Sequence, residues 1–164
     1  MPVYRVREKM WGFGNNFTIT DAEDRDCYYV DGKWLSFGKK LSFQDMSGNE
    51  LLFIRQKLWS WRPRYVLERD GAVQAEVRKG FAWFGSRFTL DVAGAETYDI
   101  SGSLFAHEFH IRCDGREVAH ISKKVFAWTD SYGVDIVDDV DSALILATCV
   151  VVDQVLHDGK KKRG

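Results

Sequence analysis

The sequence predicts a closed antiparallel β-barrel of about twelve strands around a buried hydrophobic C-terminal helix. Three observations predict it: a hairpin pattern that recurs four times, turn signals at regular intervals, and one almost wholly apolar segment near the C-terminus. A chain of 164 residues, 45% of them hydrophobic, is long enough for one domain with a sizeable core. We assign residues 1–158 to the barrel domain and expect residues 159–164 to form a basic, disordered tail.

In the recurring pattern, a Tyr or Phe follows a Val or Ile by eleven residues, with basic and aromatic residues between them. The pairs are Val6 with Phe17, Ile54 with Tyr65, Val77 with Phe88, and Ile121 with Tyr132. Recurrence at this scale indicates one supersecondary unit used repeatedly, and the apolar/polar alternation is typical of a β-hairpin. A period of two leaves each strand with one buried face.

Turn signals separate the apolar runs. They are Asp31-Gly32, Ser47-Gly48, Asp70-Gly71, Gly94, Ser101-Gly102 and Asp114-Gly115. We interpret the runs as six hairpins spanning about 3–19, 27–45, 50–69, 73–92, 97–113 and 117–137. A single open sheet of this breadth would curl, split or close, and closure into a barrel is the simplest solution.

The segment 143–152 is almost wholly apolar, and we predict a helix from about 142 to 157. Asp141 or Ser142 can cap its start, and Gly159 can end it. Its β-branched residues leave a buried strand as the alternative, but the length without a turn residue favours a helix. We expect no transmembrane segment, because this helix is too short and no longer apolar run occurs.

A helix that is apolar all round must be buried on all sides, and a single-sheet protein offers that only inside a barrel. We therefore expect Leu146 to be deeply buried. Eight strand residues are expected to face the helix: Ala75, Val77, Ala119, Ile121, Leu52, Ile54, Tyr4 and Val6.

Several loose motifs run in order along residues 1–157. They are Tyr4-x-Val6-x-x-Lys9, Phe17-Thr-Ile19-x-Asp21, Tyr29-Val30-x-Gly32, Phe37-Gly38-x-Lys40-Leu41, Gly48-x-Glu50-Leu-Leu52-x-Ile54-x-x-Lys57, Val118-Ala-x-Ile121-Ser-Lys-Lys124 and Tyr132-x-Val134. Together they resemble the tubby C-terminal-like superfamily, in particular the LURP-one-related proteins and their bacterial relatives of the YxjI type. The resemblance implies the barrel with its central helix. It also implies a direction for function, since tubby domains bind phosphoinositides through basic surface residues and the related phospholipid scramblases act at membranes.

Basic side chains recur in register on the outward faces of the hairpins. Arg7, Arg55 and Arg78 share one position, and Lys9, Lys57 and Lys124 lie two residues further on. Clustered cations attract phosphates and anionic head groups, and the resemblance implies Arg55 and Lys57 as the counterpart of the tubby lipid site. We therefore predict an anion or lipid site at Arg55 and Lys57, helped by Arg7 and Arg78. The alternative is a solvated charged face.

Further candidates surround this predicted site. The additional basic ones are Lys39, Lys40, Arg62, Arg64, Lys79 and Lys123. Trp59 and Trp61, beside Arg62 and Arg64, form a candidate contact patch for a protein or a membrane. The alternative for these tryptophans is packing in the barrel core.

Charge and cysteine usage narrow the function classes. The net charge is −1, and because the tail residues 160–163 supply +4, the body carries −1 − 4 = −5. An acidic body lacks the basic face that nucleic acid requires, so we expect no nucleic-acid partner. Three widely spaced cysteines without a CxxC pair indicate neither a disulfide framework nor a zinc site, and they suit a cytoplasmic protein.

Two other polar clusters are candidates for metal binding. His107 and His110 are three apart on an expected strand, which directs them to opposite faces, so we predict no metal site. Asp135, Asp138, Asp139 and Asp141 precede the helix; calcium binding is one interpretation, and favourable charge at a helix N-terminus is the simpler one. We predict no enzyme and no cofactor, but a binding module for anionic phospholipid or phosphoinositide head groups. The alternative is a protein-interaction or stress-response scaffold without a small ligand.

Overall fold

The computed structural model describes residues 2–9, 16–33, 38–103, 108–122 and 131–161. These residues form twelve strands and one helix. In chain order they are β1 (Val3–Lys9), β2 (Asn16–Thr20), β3 (Asp26–Lys33), β4 (Lys40–Asp45), β5 (Glu50–Gln56), β6 (Arg64–Arg69), β7 (Ala72–Lys79), β8 (Ser86–Val92), β9 (Thr97–Ser103), β10 (Glu108–Cys113), β11 (Arg116–Ser122), β12 (Ser131–Ile136) and α1 (Ser142–Lys161).

The strands form one closed barrel in which each strand is antiparallel to its neighbours along the chain. The first and last strands close it, with Val6 opposite Tyr132 and Tyr4 opposite Val134. The predicted closed barrel is confirmed. Closure leaves none of these twelve strands at an open edge, so the barrel avoids the unpaired backbone groups that a broad open sheet would present.

The barrel has two unlike ends. At the end that we call the turn end, tight turns such as Asp70-Gly71 and Asp114-Gly115 join the strands. Asp70 and Gly71 have φ of 51° and 79°, and Asp114 and Gly115 have φ of 49° and 79°. Two successive positive φ angles make a type I′ turn, which matches the twist of a hairpin. At the opposite end, the loop end, longer segments such as 57–63 and 80–85 connect the strands.

Two of the predicted turn signals lie inside strands instead. Asp31-Gly32 belongs to β3 and Ser101-Gly102 belongs to β9. A Cβ on Gly102 would lie 2.2 Å from the carbonyl oxygen of Glu108, so this glycine allows β9 to approach β10 closely. A glycine within a strand often marks such a close approach rather than a turn.

The apolar interior matches the recurring pattern. All eight residues of the four pairs are buried, with Ile121 the most exposed at 8%. Of the residues expected to face the helix, Tyr4 alone is only partly buried; it packs against the same core, with its ring 6.2 Å from that of Tyr28.

Helix α1 fills the barrel, and Leu146 is fully buried as predicted. Asp141 caps its start, because the Leu144 N–H donates to Asp141 Oδ1 at 3.2 Å. The helix continues past the predicted end near 157, through Gly159, to Lys161. A helical glycine costs only about 1 kcal/mol relative to alanine, which packing along the preceding turns outweighs.

The greater length of α1 bears on the expectation of no transmembrane segment. By length and composition, the window Ser142–Gly159 does meet the requirements of a membrane span, so the helix is not too short. However, 67% of that window is buried inside the barrel. The core helix of a soluble protein passes the same test, and here α1 supplies the core.

Candidate functional site

The predicted residues Arg55, Lys57 and Arg78 lie close together on the outer wall, on or beside strands β5 and β7, which β6 separates. Each is already engaged with a carboxylate. Arg55 Nη2 lies 2.8 Å from Glu68 Oε1, and Lys57 Nζ lies 3.5 Å from Glu76 Oε2. The wall is therefore a lattice of ion pairs, in which an incoming anion competes with carboxylates already in place.

Glu76 is the centre of that lattice. Besides Lys57, its carboxylate lies 2.8 Å from Arg64 Nε and 3.8 Å from Arg78 Nε. Arg64 and Arg78 stand directly opposite each other in the β6–β7 register. Like charges in that position destabilise a sheet unless a counterion sits between them, and Glu76 and Asp91, which pairs with Arg78, provide it.

The fourth predicted residue, Arg7, does not join this group. It lies on β1, which β2, β3 and β4 separate from β5 around the barrel. Its Nη2 atom lies 3.5 Å from Asp24 Oδ1. Of the other members of the predicted belt, the Lys9 side chain and the whole of Lys124 lie outside the described residues.

A basic cavity of about 240 Å³ opens at the rim of the loop end, next to the wall lattice. Four cations and two hydroxyls contribute to its lining: Arg62, Arg64, Arg78, Lys79, Ser60 and Thr89. None of its described lining residues is acidic. Arginine forks and a lysine ammonium around one cavity match the oxygen acceptors of a phosphate group.

Exposed aromatic side chains surround the same rim. Trp59 and Trp61 are fully exposed on the β5–β6 loop, and Trp83 and Phe84 are 87% and 95% exposed on the β7–β8 loop. The two loops meet where the Arg62 guanidinium lies 6.0 Å from the centre of the Phe81 ring. Exposed apolar patches of this kind mark contact surfaces. We call the four fully or nearly fully exposed side chains the aromatic rim.

Only half of the aromatic rim and the basic residues beside it could be predicted from adjacency in the chain. Trp59, Trp61, Arg62 and Arg64 are close neighbours in the sequence, so their grouping is visible there. Trp83 and Phe84 occupy the corresponding part of the next copy of the recurring pattern, but the sequence does not show that the two loops meet. The signal that could have found them is the run 81–84, because an apolar run in a predicted loop has no core to enter.

A second polar cluster lies elsewhere on the wall, where His110 and His120 stack across β10 and β11 with ring centres 4.8 Å apart. The acidic residues before α1 are mostly occupied in structural contacts. Asp139 lies 2.7 Å from Arg116, and Asp141, besides capping the helix, lies 3.3 Å from Arg69. These contacts agree with the simpler interpretation of that acidic segment.

A closed twelve-stranded barrel threaded by its C-terminal helix places the protein in the class of tubby-like barrels. The model of the LURP-one-related family matches residues 3–153, and the chain belongs to that family. It is 33% identical over 154 residues to the uncharacterized protein YxjI of Bacillus subtilis (strain 168), covering 93% of each chain. An X-ray structure of a protein from Arabidopsis thaliana superposes with a TM-score of 0.72 at 19% identity, covering 94% of this chain and 91% of that one. This structural likeness supports the fold alone.

Proposed function

We propose that this protein docks peripherally on membranes containing anionic phospholipids, with the loop end of the barrel facing the bilayer. One observation carries the proposal: the aromatic rim and the acid-free basic cavity lie on the same two loops, β5–β6 and β7–β8. Apolar side chains suited to the interface and cations suited to head-group phosphates thus point to one surface.

The aromatic rim supplies the apolar part of the interaction. Tryptophan is enriched at membrane–water interfaces because its ring is apolar while its N–H remains hydrated. Burying one large apolar side chain contributes roughly 1.5–3 kcal/mol. Trp59, Trp61, Trp83 and Phe84 are exposed enough to enter the interface without disturbing the barrel.

The basic cavity supplies the charge. Arg64 and Arg78 share Glu76, whereas Arg62 and Lys79 form no ion pair with any described residue. A basic side chain near an anionic leaflet contributes about 1 kcal/mol. Arg62 and Lys79 are therefore the cations best able to hold a head-group phosphate.

Helix α1 runs towards this surface. Asp158, in its last turns, pairs with Lys39 at the loop end, so the helix backbone ends there at Lys160 and Lys161.

The test is sedimentation of the full chain with phosphatidylcholine vesicles that contain or lack phosphatidylserine, with a third set containing a phosphoinositide. The wild type should sediment with the anionic vesicles and release at high salt, because exposed charges are screened within about 10 Å at ~0.1 M salt. Arg62→Gln with Lys79→Gln removes about 2 kcal/mol and should weaken binding roughly 30-fold. Trp59→Ala with Trp83→Ala should weaken it at least as much.

Two matched controls lie at the turn end. Met46 is 54% exposed there, so Met46→Ala removes an exposed apolar side chain from the opposite face. Arg116→Gln removes a cation from the same end. Both should bind like the wild type. If the wild type ignores anionic vesicles at low salt, or the rim variants bind unchanged, the proposal fails and the aromatic rim becomes a protein-contact surface.

A further inference from the structure

We infer that Glu108, His110 and His120 form a binding site for a divalent transition-metal ion of the zinc class on the outer wall of the barrel. Their ligand atoms, one from each side chain, all lie within 4.8 Å of one another. The site is on β10 and β11, which β9 separates from β8, and it does not depend on the membrane proposal.

The strand register brings these residues together. His110 stands directly opposite His120 in the β10–β11 pair. Their rings stack with an interplanar angle of 21°. Glu108 lies two residues before His110 and therefore shares its face of the sheet, diagonal to His120. Three ligand-bearing side chains from two adjacent strands thus project from one patch.

A carboxylate lies near Nδ1 of each ring, but only the carboxylate beside His110 is within hydrogen-bond distance. His110 Nδ1–H donates to Glu117 Oε2 at 2.7 Å, and His120 Nδ1 lies 4.0 Å from Asp135 Oδ2. Carboxylates that hold one nitrogen of a histidine, and so orient the other towards a metal, are the usual companions of histidine ligands. The hydrogen bond at Nδ1 leaves Nε2 of His110 for a metal ion.

The environment of His120 Nε2 also indicates a ligand at this site. The atom is buried and has no hydrogen-bond partner within the part of the chain that the structure describes. A buried polar atom without a partner is unfavourable, and native structures rarely leave one without a reason. A metal ion bonded to Nε2 would satisfy it.

The donor set defines the kind of ion. Two imidazoles and one carboxylate suit Zn²⁺ and its first-row neighbours, whereas Ca²⁺ and Mg²⁺ prefer oxygen alone. Zinc–ligand bonds of about 2.0–2.2 Å place the ligand atoms of a tetrahedral site roughly 3.3 Å apart. Small χ rotations of these partly exposed side chains must therefore bring the ligand atoms together. Three protein ligands leave a fourth position for water.

The sequence prediction of no metal site rested on the spacing of His107 and His110 along one strand. The partner of His110 is instead His120, on the next strand. Cross-strand proximity depends on the register, which no spacing along the chain reveals. His107 lies outside the described residues.

The test is titration of the full chain with Zn²⁺ in competition with a chromophoric chelator at neutral pH. The wild type should bind one equivalent, and His110→Ala and His120→Ala should each weaken binding more than about 100-fold, beyond the 10–100-fold typical of outer partners. His157→Ala is the matched control and should bind like the wild type. Binding should weaken at acid pH, because imidazole must be neutral to act as a ligand.

Two further measurements distinguish ligation by the two histidines from metal binding elsewhere on the chain. Glu117→Gln should weaken Zn²⁺ binding roughly 10-fold or more if this carboxylate orients His110. The Co²⁺ complex should show tetrahedral absorption without a sulfur charge-transfer band, since the three cysteines are not ligands. Where an alanine variant unfolds, Glu108→Gln and His110→Asn replace it. Absence of one-equivalent binding, wild-type affinity in the ligand variants, or a sulfur band would each overturn the inference.

Discussion

Lys39 Nζ lies 2.7 Å from Asp158 Oδ2 and so ties the loop end of the barrel to the last turns of α1. The same ammonium group donates to Gln154 Oε1 at 2.9 Å, and Gln154 is almost completely buried. Lys39 therefore closes the barrel around its core helix at the end where the proposed membrane surface lies.

Lys39→Met should destabilise the fold more than Asp158→Asn does. The first change deprives buried Gln154 of a donor, which costs about 1–3 kcal/mol. The second breaks only a partly exposed ion pair, worth about 1 kcal/mol or less. Urea denaturation of both variants measures the difference. Equal losses would mean that the contact with Gln154 contributes nothing.

Leu146→Ala should lower the free energy of unfolding by about 2–5 kcal/mol, because it leaves a cavity at a fully buried side chain. Val73→Ala is the control, since Val73 is 49% exposed and should lose little. Truncation before Asp141 should leave an unfilled barrel that aggregates or fails to fold. A soluble, cooperatively melting truncated chain would contradict the central role of α1.

Glu76→Gln should strengthen binding to anionic vesicles. Glu76 neutralises Lys57, Arg64 and Arg78, so its removal leaves the basic side of the rim with fewer internal counterions. Co-sedimentation at low salt measures the gain, and Glu117→Gln on the far side of the barrel is the matched control. Weaker or unchanged binding would argue against the basic cavity as the head-group site.

Vesicle binding by two double variants shows whether the head group binds at the outer wall or at the rim of the loop end. The sequence predicts the anion site at Arg55 and Lys57, and replacing both by Gln tests that position. If the rim holds the head group, this variant should retain most of its vesicle binding, while Arg62→Gln with Lys79→Gln loses it. If the variant with Arg55 and Lys57 replaced loses all vesicle binding, the head-group site lies on the outer wall at these two residues.

Asp45, at the turn end of the barrel, should make the stability of the fold sensitive to acid. Hydrogen bonds from the Asn49 side chain, and then from backbone N–H groups, lower the pKa of Asp45 below its ordinary value. A pKa depressed by folding contributes stability above the unfolded value of about 3.9, and that stability is lost as the pH falls through the lower folded value.

Asp45→Asn should therefore make the melting temperature fall less steeply below about pH 4 than in the wild type. Thermal melts across the acid range check this. An Asp45→Asn slope identical to that of the wild type would mean that the hydrogen bonds at this turn do not affect stability.

The fold of this chain could be predicted from local sequence patterns. Alternating apolar residues such as Val6 and Ile54, and type I′ turns such as Asp70-Gly71, are properties of short segments that the sequence displays directly. The apolar helix around Leu146 must be buried on all sides, and the strands can surround it only if they close into a barrel. The end of α1 was less predictable, because packing and the Lys39 contact carry the helix past Gly159.

The surface sites depended on the tertiary structure. The sequence places Arg64 and Arg78 fourteen residues apart, and His110 and His120 ten apart, yet the register sets each pair face to face. Closure likewise separates Arg7 from Arg55, although both occupy the same position of the recurring hairpin. Which charges meet depends on strand pairing and on the path around the barrel, and a one-residue shift of register would reverse every outward-facing side chain.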